Sequence, residues 1–158
     1  MAEPLSNQIL RQLPHVAGLF YRLLLVVAPS GAGKTAALQE VAERTSARYI
    51  NVNLELSQCL LDLTQRQRKL LVPRLLGDIV GKDDTQTVLL DNFEMLFDTS
   101  LQLHPLRCLQ DLARHRIIVA VWNGTLTSGH LTYATPDHPE YRRYAIDDTI
   151  VIYPEAST

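Results

Sequence analysis

Residues 26–38, VVAPSGAGKTAAL, constrain this chain more than any other stretch. An apolar run leads into a glycine-rich turn, and Lys-Thr then opens a helical pattern. That strand–turn–helix context is what the phosphate-binding pattern GxxxxGK[ST] requires. Ala28 stands where the first glycine is usual, while Gly33, Lys34 and Thr35 meet the rest of the pattern. Gly31 and Gly33 free the turn of Cβ atoms, so successive amides can converge on phosphate oxygens. Pro29, Ser30, Gly31, Ala32, Gly33, Lys34, Thr35 and Ala36 are therefore expected to cradle a nucleotide, ATP with Mg2+. Lys34 would reach the β and γ phosphates and Thr35 would offer its hydroxyl to magnesium. The helix would point its positive end at the charge.

The second motif is TVLLD at 87–91, an apolar run ending in an acid. A carboxylate at the end of a strand beside a phosphate loop can hold a water bound to magnesium, and Asp91 is expected in that role. Glu94 follows in DNFE and is the candidate for polarising the attacking water. Enzymes of the AAA+ class generally place the glutamate directly after the aspartate. Here Asn92 has that place, which leaves a turn or capping role open for Glu94. IIVAVW at 117–122 reads as another buried strand and delivers Asn123 and Gly124 at its end. Asn123 is then either a sensor of the γ phosphate or half of an Asn-Gly turn. Arg142 and Arg143 precede the last strand, where ring-forming ATPases present an arginine to a neighbouring subunit's nucleotide; solvated ion pairing is the alternative.

With 158 residues, 46% of them hydrophobic, the chain suffices for a single domain with one core. A net charge of -2 gives no electrostatic case for strong autonomous nucleic-acid binding, so DNA contact is expected to be indirect. Arg66, Arg68, Lys69 and Arg74 form the most basic segment, a solvated helix face or a surface for DNA or an acidic partner. The start of the chain lacks a signal-peptide pattern, and no apolar run approaches the roughly 20 residues that span a bilayer. These features predict a cytoplasmic protein. Cys59 and Cys108 lie among leucines without metal-ligand spacing and read as buried thiols.

Strands are expected at 21–28, 48–53, 87–91, 117–122 and 149–153, with a short helical lead-in interrupted by Pro14. Residues 54–80 read as helical pieces, with a capping box at Thr64 and Gln67, a break at Pro73 and an end at Gly81. A further helix is expected from Pro105 to His115. The segment from 125 to 148 reads as surface structure with a hairpin near Ser128 and Gly129. The order predicts an α/β fold: a three-layer P-loop NTPase sandwich of five mainly parallel strands in the order 5-1-4-3-2, without a helical lid domain.

The AxSGxGKT loop, LLDNFEMLF, VWNG, HPEYRRY and the short length together resemble the BrxF family, small P-loop proteins of BREX phage-defence systems. The resemblance covers nearly the whole chain. It implies an antiviral role beside DNA methylation and other BREX defence proteins, with partners carrying the substrate step. On this basis the expected function is a slowly hydrolysing, AAA-like ATPase subunit that assembles as a homo-oligomer or with partners. A nucleotide-dependent adaptor without significant hydrolysis is one alternative. A small-molecule kinase is another, although the second strand offers Asn51 and Asn53 rather than acids and arginines for an acceptor.

Overall fold

The computed structural model describes residues 3–28, 33–146 and 149–153. Its centre is β1 (Leu23–Ala28), whose six residues are all buried. Side chains alternate across a strand, so Leu23, Leu25 and Val27 enter one core while Leu24 and Val26 enter the other. A strand buried on both faces needs helices on both sides. α1 (Leu5–Val16) and α2 (Lys34–Arg44) cover one face through Ile9, Val16, Leu38 and Val41. α3 (Val52–Leu60), α4 (Gln65–Val80) and α5 (Pro105–Leu112) cover the other through Leu56, Val72, Leu76 and Leu109.

Among the described residues, seven strands form the sheet rather than the five expected. β2 (Arg48–Asn51), β3 (Thr87–Asp91), β4 (Ile117–Thr127), β1 and β7 (Ile150–Ile152) follow one another in the order 2-3-4-1-7, all parallel. β5 (His130–Tyr133) pairs antiparallel with β4, and β6 (Arg142–Ala145) with β5. The predicted order 5-1-4-3-2 is corrected accordingly: two antiparallel strands intervene, and the strand beside β1 is the seventh.

The added strands have a local cause. Asn123 and Gly124 do not turn the chain, because β4 continues through them to Thr127. The turn is made instead by Ser128 and Gly129, both at positive φ (51° and 75°), which suits a two-residue hairpin connection. The segment then folds inward. Leu131 is fully buried, Tyr133 stacks on Phe97 at 3.6 Å between ring centroids, and the Trp122 indole N–H donates to the Thr132 carbonyl at 2.9 Å. One face of the hairpin therefore packs on the core through Leu131 and Tyr133, while Thr125, Thr127, Ser128, Gly129 and residues 135–139 lie at the surface as expected.

Three further differences have simple causes. β2 ends at Asn51 because the Asn51 side chain accepts the Leu54 amide and starts α3, so Asn53 is helical. Pro73 does not break the helix: α4 runs through it, held by the Thr64/Gln67 capping box at one end and by Val72, Leu76 and Val80 buried along one side. Cys59 is exposed and Cys108 half-buried, so the expected pair of buried thiols is not formed. Among the described residues, no helix is long and apolar enough to cross a membrane.

Candidate functional site

Parallel pairing brings the carboxyl ends of four strands to one edge. Ala28 of β1 lies level with Asn123 of β4, and Asn51 of β2 level with Asp91 of β3. Open α/β sheets gather ligands at this edge, beyond the strand ends. Asn123 is therefore in the expected place in space, although it lies within a strand and not at its tip.

α2 begins here. Gly33, at φ 77°, is the residue before its first turn, and a left-handed conformation of this kind is cheap only for glycine. Lys34 follows, buried at the end of β1, with Nζ donating to the Ala28 carbonyl at 3.0 Å. Burial holds the Lys34 ammonium below its ordinary pKa, while the negative charges of Asp91 and Glu94 act against that shift.

Asp91 is almost wholly buried, and three donors hold its carboxylate. Thr35 Oγ1 donates to Oδ2 at 2.6 Å, the Tyr49 hydroxyl donates to the same oxygen at 2.7 Å, and the Asn92 amide donates to Oδ1 at 3.0 Å. Charge-assisted bonds of this length fix a carboxylate firmly. Burial, the bond to Asp91 and the charge of Asp91 raise the Tyr49 phenol well above its usual pKa. Thr35 and Asp91, far apart in sequence, are thus brought within hydrogen-bond distance.

Glu94 does not extend β3. Asn92 sits at φ 51°, a left-handed conformation that asparagine tolerates, and Glu94 begins a 3-10 turn of four residues. Both of its oxygens are taken. Oε2 accepts from the Asn53 side-chain amide at 3.0 Å, and Oε1 accepts from the Asn123 side-chain amide. Asn53 is fixed in turn: its backbone amide donates to the Asn92 carbonyl at 2.7 Å, and its Oδ1 accepts the Met95 amide at 3.0 Å. The expected water-polarising residue and the expected phosphate sensor therefore hold one another.

Gly33, Lys34, Thr35, Ala36, Asp91, Asn92 and Asn123 line a cavity of about 210 Å3. Pro29, Ser30, Gly31 and Ala32 lie outside the described residues. Arg142 and Arg143 do not join this lining. They belong to β6, where Arg142 donates to the Tyr141 and Phe97 carbonyls and Arg143 is exposed. Tyr49, Asn53 and Asn92 are the site residues that sequence reasoning missed. The expected order already set the strand of Tyr49 beside that of Asp91; what the sequence did not carry was the register and side-chain direction that bring the Tyr49 hydroxyl to Asp91 Oδ2. No match was found among protein-family models, curated proteins or solved structures.

Proposed function

We propose that this chain is a P-loop NTPase that binds Mg-ATP through Lys34, Thr35 and Asp91 and hydrolyses it slowly. On this reading it acts in the cytoplasm as an AAA-like subunit of a BREX-type phage-defence system, with itself or with other defence proteins. The observation that carries the nucleotide reading is the 2.6 Å bond between Thr35 at the start of α2 and Asp91 at the end of β3, beside the buried Lys34. A polar pair and a cation gathered at the carboxyl edge of a parallel sheet have no structural need to converge there.

The donor set fits magnesium. That ion keeps most of its waters and takes one or two protein oxygens plus phosphate oxygens. Thr35 would supply such an oxygen directly, and the Asp91 carboxylate would accept from a water bound to the ion. Phosphate oxygens and waters would complete the shell. When bound, the ion would neutralise charge developing on the phosphates. Lys34 would contribute to the same end once Nζ leaves the Ala28 carbonyl for a phosphate oxygen, and Glu94 would orient water.

Lys34→Ala is the test. Loss of a charged hydrogen-bonding group of this kind costs about 1.5–3 kcal/mol, which weakens affinity by about 10- to 150-fold. Titration of a fluorescent ATP analogue in magnesium measures it, and equal affinity in the variant would overturn the reading. The amide clasp on Glu94 favours a second reading, an adaptor that ATP locks into one shape, because a clasped carboxylate is not directed at water. Glu94→Gln separates the two: an enzyme loses turnover and keeps binding, whereas an adaptor has no turnover to lose and keeps its partner activity. A kinase finds less support, since Asn51 caps α3 and Asn53 holds Glu94. Phosphate transfer from labelled ATP to any common metabolite would revive it.

A further inference from the structure

We propose that Tyr49 is a positioning residue that sets the cation preference of this site, holding Asp91 as an acceptor for metal-bound water and not as a direct ligand. The inference rests on the nucleotide reading above and adds to it a residue outside both motifs. A carboxylate has about four lone-pair positions. Three are already taken: Oδ2 accepts from Thr35 and from Tyr49, and Oδ1 accepts from the Asn92 amide. The Tyr49 hydroxyl is thus the donor that distinguishes a half-open Oδ2 from a filled one.

The consequence depends on the cation. Mg2+ gives up its waters reluctantly and is content with a carboxylate reached through water, whereas Ca2+ dehydrates readily and takes carboxylate oxygens directly in a flexible shell. A filled Oδ2 therefore suits Mg2+ and obstructs Ca2+. The Tyr49 ring packs with the α1–α2 side of the core, which keeps its hydroxyl aimed at the carboxylate. Phenylalanine retains that packing and removes only the donor. Thr35 and the Asn92 amide still orient Asp91, so the carboxylate stays in place with a lone pair released.

Tyr49→Phe tests this by binding alone, with no turnover measured. Affinity for a fluorescent ATP analogue is followed while MgCl2 or CaCl2 is raised, in wild type and variant, and once without divalent cation. Loss of a group bonded to a metal-site carboxylate changes metal affinity by about tenfold or more. The ratio of half-saturating Mg2+ to Ca2+ is expected to move by about that factor in favour of Ca2+, with the metal-free nucleotide affinity unchanged. A ratio that stays put, or that moves toward Mg2+, overturns the role of Tyr49. So does a metal-free affinity that shifts by the same factor, because Tyr49 would then act through packing. Wild type that binds no nucleotide with either cation overturns the nucleotide reading and this inference with it; wild type that binds, with an unmoved ratio, overturns only the inference.

Discussion

Gly124 shows how one atom decides a local fold. A Cβ there would lie 1.9 Å from the Thr132 carbonyl oxygen and 2.9 Å from Trp122 Nε1, so only glycine lets β5 close on β4 while the indole keeps its bond. Overpacking of this sort costs about 1–3 kcal/mol or more. Gly124→Ala is expected to lower the urea midpoint by that measure and to increase the exposure of Trp122 fluorescence; an unchanged midpoint would show that the hairpin can yield. Tyr133, stacked on Phe97 in the same cluster, makes a pH-dependent contribution. Burial, with help from Glu140 and Glu94, pushes its phenol up to about 12. The folded pKa lies above the ordinary value near 10. The neutral form is therefore favoured by folding, and this stability is fully present below about pH 10 and lost between about 10 and 12. Cys108, pushed up to about 11 by burial and by Asp111, acts in the same direction from about pH 9. Urea unfolding at rising pH should show a falling midpoint above about pH 9, less steep in Tyr133→Phe.

Among the elements, α4 joins a legible start to an illegible middle. Its capping box was visible in sequence, and both of its bonds form: the Gln67 amide to Thr64 Oγ1 at 3.2 Å, and the Thr64 amide to Gln67 Oε1 at 2.9 Å. Thr64→Ala is expected to cost about 0.5–2 kcal/mol in a urea titration. Pro73 misled because propensity treats a proline as a break, whereas tertiary burial of Val72, Leu76 and Val80 holds the helix together across it. An interior proline costs up to about 3 kcal/mol relative to alanine. Pro73→Ala should therefore raise stability, since the side chain is exposed; a fall would mean that the ring packs usefully against α5. The boundary between β2 and α3 was misplaced for a related reason. Val52 and Asn53 continue an alternating pattern, but the Asn51 side chain ends the strand by capping the helix.

At the scale of the molecule, the two arginines part company. Arg142 is engaged with carbonyls of its own chain, whereas Arg143 is exposed on β6, which pairs with β5 on one side. If assembly completes the site, ATP and magnesium will raise the solution mass of wild type and leave Lys34→Ala unchanged. Arg143→Ala will then slow turnover of the assembly without altering monomer stability, and light scattering with a phosphate-release assay reads both. The sequence by itself determined the class of fold and the two motifs at its centre. Short continuous apolar runs bounded by turn residues suit strands buried between helices, and the glycine-rich turn before Lys34 and Thr35 is the sequence basis of the proposed anion site. Only the tertiary structure decided what lies beside Asp91 and Glu94. The expected order already put the strands of Tyr49 and Asn123 on either side of the Asp91 strand, but a pattern local in sequence carries no record of the register and side-chain directions that bring Tyr49, Asn53 and Asn123 to these two acids.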